Sequence, residues 1–219
     1  MADREKAEAL IEKGRKLRDE KDFEGAIAVF TEAIAADDSD DNAYFLRGLQ
    51  YDLIEEYDKA IADFNKGLSL LPDEDSGRVY YYQCRSHAYS DKGEYDKAIA
   101  DANDAIGLAA DDEDTGESYE ELAYAYYKKG DREQAIANYK KAIDYGDENA
   151  AEDLKEYLNI DYPEKPVTQP SSSKKFNIIG LVVLGALGFI FGIIGAVIGA
   201  VGGWFLGGIV GKKFFAKKN

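Results

Sequence analysis

Through the first 160 residues, apolar positions recur at i, i+3, i+4 and i+7 in short blocks separated by turn residues, the period of amphipathic helices that bury one face. The blocks come in pairs. Five-residue segments opening at Phe23, Tyr57, Tyr95 and Arg132 all end in Ala-Ile, at spacings of 34, 38 and 37 residues, and each begins the second helix of a pair. A short turn precedes each one, with Gly93 and Gly130 in the third and fourth copies. The residue after a helix end adopts a left-handed conformation that suits glycine. Lys21 and Glu55 hold that place in the first two copies, where the turn costs slightly more. One helix pair cannot bury its apolar face alone, so neighbouring pairs stack and share a core. The additional residues near 73–78 read as a longer loop. Residues 148–160 read as a capping helix, with Ala151, Leu154 and Leu158 covering the last pair.

The copies resemble the tetratricopeptide repeat. In the second, Tyr44, Gly48, Tyr51, Ala60, Phe64 and Pro72 fall at that family's spacing, with Arg47 in place of the usual leucine and Gly67 in place of the later alanine. The first offers Leu10, Gly14, Leu17, Ala26, Phe30 and Ala33. The third keeps Tyr82, Tyr89, Ala98 and Ala105, but Ser86 replaces the small glycine and Ala102 the bulky aromatic. The fourth has Tyr119, Leu122, Ala123, Tyr126, Ala135, Tyr139 and Ala142. The resemblance implies an all-α fold: an α-solenoid of four helix-turn-helix repeats at about 7–40, 41–74, 79–112 and 116–149, plus the capping helix, within a domain spanning 1–160 and wound right-handed around a concave face.

In this family, ligands lie along the first helices. The corresponding positions include Ile11, Arg15, Phe45, Leu46, Leu49, Leu53, Tyr80, Gln83, Cys84, His87, Glu117, Glu120, Glu121 and Tyr124. An apolar floor with an acidic end suits an extended or helical peptide carrying hydrophobic anchors and Lys or Arg. Equally, the apolar stripe can pack against the capping helix, a neighbouring molecule or the chain's own linker. The basic and amide clamp with which some family members hold the acidic termini of heat-shock chaperones is not matched. At its places stand Ile11, Arg15, Leu46, Tyr80 and Cys84 or, one repeat later, Phe45, Leu49, Cys84, Glu117 and Glu121. A terminal carboxylate finds no partner there.

Charge narrows the classes further. Asp plus Glu number 43 against 27 Lys plus Arg, and residues 161–219 carry net +5, leaving −21 in residues 1–160. So acidic a domain repels phosphate backbones, which excludes nucleic acid as its partner. A single cysteine excludes an internal disulfide framework and a Cys-rich zinc site. Cys84, His87 and Asp91 share one helical face, yet no oxyanion donors or further metal ligands accompany them, so they read as a polar patch. The acidic runs at 37–41 and 111–114 lack the glycine and terminal glutamate of a calcium loop and read as solvated turns. No phosphate-cradling glycine loop is present in this domain. Neither a cofactor, a metal nor enzymatic activity is expected.

The last quarter has another character. Pro163, Pro166, Pro170 and three serines mark residues 161–175 as a linker. Residues 176–211 then contain no ionisable side chain over 36 positions and are flanked by lysines, so they are expected to enter a membrane. As one helix they would extend about 54 Å against a hydrocarbon core of about 30 Å. A hairpin turning near 192–195 keeps both lysine-rich ends in the cytoplasm; a single span carries the basic tail, 212–219, across. Gly195, Gly199, Gly203, Gly207 and Gly211 form a four-residue ladder, and Gly188 with Gly192 starts another, which lets helices approach within a hairpin or between molecules. The expected protein is membrane-bound, with its repeats facing the cytoplasm. Its partners are proteins or peptides, membrane lipid and, through the tail, a homo-oligomer. It serves as a recruiting scaffold or, alternatively, as a glycine-zipper oligomer or pore that the repeats regulate.

Overall fold

The computed structural model describes residues 2–161. Among the described residues there are nine α-helices and no strand: α1 (Ala2–Asp19), α2 (Phe23–Ala36), α3 (Asp41–Leu53), α4 (Tyr57–Leu70), α5 (Arg78–Lys92), α6 (Tyr95–Leu108), α7 (Asp112–Lys129), α8 (Arg132–Tyr145) and α9 (Ala150–Leu158). Each odd-numbered helix from α1 to α7 packs on the helix that follows it, successive pairs stack, and α9 closes the stack against α8. The apolar membrane segment, its glycine ladder and the basic tail lie outside the described residues. Among the described residues no helix is long and apolar enough to cross a membrane.

Local chemistry starts and stops these helices. Asp22, Asp40, Asp111 and Asp131 each accept a backbone N–H of the first turn of α2, α3, α7 and α8. The acidic run at 111–114 is therefore not a solvated turn. Asp111 caps α7, and the three acids after it form the helix's first turn, facing its positive end. Lys21 and Glu55 take the left-handed conformation at φ 63° and 65°, as Gly93 and Gly130 do at 89° and 88°.

Close helix approach builds the core. A Cβ on Gly48 would lie 2.7 Å from the Phe64 ring, and Gly14 sits in the same way beneath Phe30; both phenyl rings are fully buried. In the third pair, Ser86 faces the helix carrying Ala102 and donates its hydroxyl hydrogen to the Ala98 carbonyl at 2.9 Å. At the end of the stack, α9 buries Ala150, Leu154 and Leu158, while Ala151 stays half-exposed. Arg132 Nη2 donates to the Leu158 carbonyl at 2.7 Å, satisfying an orphan acceptor at the end of α9.

Arg47, standing where leucine is usual, turns out to be a clamp. Its Nε and Nη2 donate to the two oxygens of Asp63 at 2.7 Å each, joining α3 to α4, and its Nη1 donates to Thr31 Oγ1 on α2 at 3.1 Å. Arg85 repeats the arrangement one pair later, with Asp101 on α6 at 2.6 and 2.7 Å and Asn65 on α4. Each guanidinium also lies between two tyrosines, Tyr44 and Tyr51 or Tyr82 and Tyr89, at 5.3–5.9 Å from the ring centres. The third arm of each clamp thus ties one pair to the pair before it. Burial pushes the Asp101 carboxyl up against the pull of Arg85, so an uncompensated Asp101 would be costly. Arg85→Ala should lower the stability to urea unfolding by about 3–5 kcal/mol, and Arg85→Leu with Asp101→Leu should recover most of it. Equal losses in the single and double variants would show that the clamp contributes nothing specific.

Candidate partner-binding groove

The first helices of the pairs, α1, α3, α5 and α7, carry all of the family's ligand-facing positions, but the structure divides them. Ile11, Leu46 and Leu49 are only 3–5% exposed and belong to the packing between helices. Ile11 and Leu46 share one apolar cluster with Phe30 and Ala33. Gln83 and Cys84 are buried as well, with Gln83 Nε2 donating to Ser118 Oγ at 3.0 Å. Arg15 is half-buried and pairs with Glu12 at 3.5 Å. What remains half-exposed is Phe45, Leu53, Tyr80, His87, Glu117, Glu120 and Tyr124. Phe45 rests against Tyr81 and Phe64, with ring centres 4.8 and 6.0 Å apart.

His87, Glu121 and Tyr124 do come together, around a residue of greater consequence than any of them. Asp91 Oδ1 accepts from the Tyr124 hydroxyl at 2.6 Å and from Lys128 Nζ at 2.8 Å, and Tyr57 bonds to the same carboxylate. One side chain of α5 thereby links α4 and α7. The His87 ring lies flat on Tyr124, 5.0 Å between centres and 7° between planes. Its Nδ1 is 3.5 Å from Glu121 Oε2 and its Nε2 3.7 Å from Asp91 Oδ2. Burial disfavours an imidazolium here, but the carboxylates of Glu121, Asp52 and Asp91 together outweigh it and lift His87 to about 9. For Asp91, burial is likewise overcome by the charge of His87 and the bonds from Lys128 and Tyr124, and its carboxyl is held low. Burial pushes Glu121 up despite His87.

Beside this network, burial and neighbouring acids push further carboxyls up. Burial, reinforced by Asp147, pushes Glu117 up to about 8, and burial with Asp147 pushes Glu120 well above the carboxylate range. Glu120 shares hydrogen bonds with Asp147 and Asp153. Cys84 is no nucleophile: burial first, then Glu121, pushes its thiol well up, so no thiolate exists near neutrality. Among the described residues no group of three or more His, Cys, Asp or Glu is arranged to hold a metal ion.

The sequence pointed to Cys84 and His87 and passed over Asp91 as the hub. Asp147 enters the site only through packing. The available signal was the four-residue step from His87 to Asp91 and from Tyr124 to Lys128 on two successive first helices.

These shifts set the sign of the pH dependence. Glu117 in the folded chain holds its proton up to about 8, against 4.5 ordinarily, so its contribution is complete below pH 4.5 and lost as pH rises through 8. His87, raised from 6.5 to about 9, contributes fully below pH 6.5 and loses its effect as pH rises through 9. Thermal stability should therefore fall between pH 5 and 9. Glu117→Gln should flatten the lower part of that decline and His87→Gln the upper part, both read from melting curves by circular dichroism. A decline unchanged in both variants would mean that other groups control it.

Comparison with known proteins agrees with this architecture. The tetratricopeptide repeat family matches residues 41–74, 79–112 and 116–145. The small glutamine-rich tetratricopeptide repeat-containing protein 2 of Saccharomyces cerevisiae is 31% identical over 150 residues, which is 68% of this chain and 32% of that protein. The chain thus spans about a third of the length of the yeast relative. Among solved structures, one of MamA superposes with a TM-score of 0.55 at 25% identity, covering 66% of this chain and 80% of that one. A second MamA structure gives a TM-score of 0.55 at 24% identity, covering 74% and 82%. From repeat spacing, helix pairing and these likenesses together, the chain carries tetratricopeptide repeats, stacked as an all-α solenoid of the kind that serves as a protein-interaction scaffold.

Proposed function

We propose that the protein is a membrane-anchored scaffold whose groove holds peptide segments with apolar and basic side chains and recruits their owners to the membrane. One observation carries the reading. The half-exposed aromatic and aliphatic face of Phe45, Leu53 and Tyr80 runs toward Glu117 and Glu120, carboxyls that burial and neighbouring acids push up. A ligand that brings an apolar anchor and a positive charge satisfies both ends. Support for the anchor comes from composition: 36 consecutive residues without an ionisable side chain, at 176–211, flanked by lysines. Tethering concentrates groove-bound partners near membrane components. The glycine ladder from Gly195 to Gly211 favours a second reading, in which this segment assembles into an oligomer and the repeats regulate it.

The full chain in detergent micelles should be probed with an array of peptides about 12 residues long, in which leucine or phenylalanine anchors are combined with lysine or with glutamate. Lysine-bearing spots should be retained, and Leu53→Ser with Tyr80→Ser should weaken them about tenfold, a difference of about 1.4 kcal/mol. Substituting Leu46 or Leu49 is unsuitable because both lie in the core. Retention indifferent to charge, or unaffected by the double variant, would sink the groove reading. Flotation with lipid vesicles tests the anchor: the chain should rise with the vesicles, and a chain deleted of 176–211 should stay below. If Gly199→Leu with Gly203→Leu disperses an oligomer while peptide retention is absent, the second reading replaces the first.

A further inference from the structure

Among the described residues, the large apolar side chains that stay exposed are Leu108 at 36% and Tyr145 at 42%. They end α6 and α8 and stand 37 residues apart, the spacing of the third and fourth repeats, so they hold equivalent places on one edge of the stack. Single exposed apolar residues are ordinary, but the surroundings of these two differ. Tyr145 is a knob: its ring stacks on Tyr119 at 5.6 Å, and Lys141 Nζ lies 4.8 Å from the centre of the Tyr119 ring. Leu108 borders an open hollow of about 410 Å³, lined also by Tyr82, Arg78 and Gly107, with the exposed carboxylates of Asp73 and Asp104 at its mouth.

The hollow has a cause in the sequence. In the second and fourth repeats a lysine, Lys66 or Lys141, covers the tyrosine of the same pair, Tyr44 or Tyr119. The third repeat carries Asp104 at that place, and Gly107 where the fourth has Asp144. Arg78 lies over Tyr82 instead, fixed as a wall by donating to the Leu68 and Leu71 carbonyls. A Cβ on Gly107 would meet nothing within 4 Å, so no contact within the described residues requires a glycine there, although glycine weakens a helix relative to alanine. A ring entering from outside would use that space.

The geometry points to a second copy of this chain as the occupant: Tyr145 of each molecule enters the Leu108 hollow of the other. A two-fold axis normal to the edge, midway between the two places, exchanges knob and hollow, which is the condition for an isologous contact. Charge agrees, because the same rotation brings Lys141, beside the knob, to Asp104, beside the hollow. Two knobs and two hollows make a small interface, so the pairing is weak in dilute solution. Phe45, Leu53 and Tyr80 do not line the hollow, and the pairing is independent of the groove reading.

The test cross-links full chains in detergent micelles. One chain carries Leu108→Cys and the other Tyr145→Cys, each with its own tag, and a short bismaleimide is added at neutral pH. Cys84 is buried, and the unsubstituted chain should give no product. The mixed 108–145 product should exceed the 108–108 and 145–145 products about tenfold. Gly107→Leu, which fills the hollow without entering the core, should remove most of it while leaving the thermal melting curve in place. Lys141→Asp in the Tyr145→Cys chain should reduce the product about threefold, and Asp104→Lys in its partner should restore it. The product should persist when both chains carry Gly199→Leu with Gly203→Leu. Equal yields of the three products, or a yield indifferent to Gly107→Leu, would overturn the assignment. So would loss of the product with the glycine substitutions, which would give the association to the tail, and absence of any product, which would leave the hollow to a different partner.

Discussion

There is no room for a side chain at Gly14 and Gly48, and much of the structure follows from that contact. At Gly14 and Gly48 the backbone of one helix lies directly beneath a phenyl ring of the other, Phe30 or Phe64. Such an approach fixes the register of each pair, and with it which face of α1 and α3 turns outward. The later pairs meet the same volume requirement with other residues. Where Ala102 shrinks the aromatic, Ser86 adds a hydroxyl that finds a carbonyl; where Tyr139 restores the ring, Ala123 keeps the facing residue small. Size is traded across the contact, as close packing demands.

Charge is managed in two contrasting ways. On the packed side, Arg47 and Arg85 hold Asp63 and Asp101 in bidentate pairs beside tyrosine rings, and their remaining arms reach the preceding pair. Buried charge there is matched by charge, so it fixes the orientation of neighbouring pairs. Toward the groove, Asp91 is matched by Lys128 and His87, whereas Glu117 and Glu120 are pushed up by burial and by neighbouring acids. In a domain of net charge −21, burial and neighbouring acids push the Glu117 and Glu120 carboxyls up, so holding them ionised costs stability.

The repeat was legible because it is periodic. Residues such as Ala26, Ala60, Ala98 and Ala135 recur at nearly constant spacing, and the left-handed turns at Lys21, Glu55, Gly93 and Gly130 follow from where helices must stop. The start of α7 was not legible, since the acids at 111–114 suit either a solvated turn or an N-terminal turn, and only the Asp111 cap decides between them. Arg47 looked like a departure from the repeat, although it stands sixteen residues before Asp63, as Arg85 does before Asp101, a coincidence that hinted at their pairing.

The groove marks the boundary between the two kinds of information. Local periodicity assigned Leu46, Leu49, Phe45 and Leu53 to one helix, because a helix face is a property of a single segment. Which of them is buried depends on what the adjoining helices bring, and Leu46 and Leu49 went to the core while Phe45 and Leu53 stayed at the surface. Asp91 and Lys128 lie 37 residues apart and meet through stacking of separate helix pairs. By itself the sequence determined the helices, their pairing and the acidic balance, all set by short-range period and composition. The tertiary structure alone decided which acids are neutralised, since that depends on distances between segments that no local pattern records.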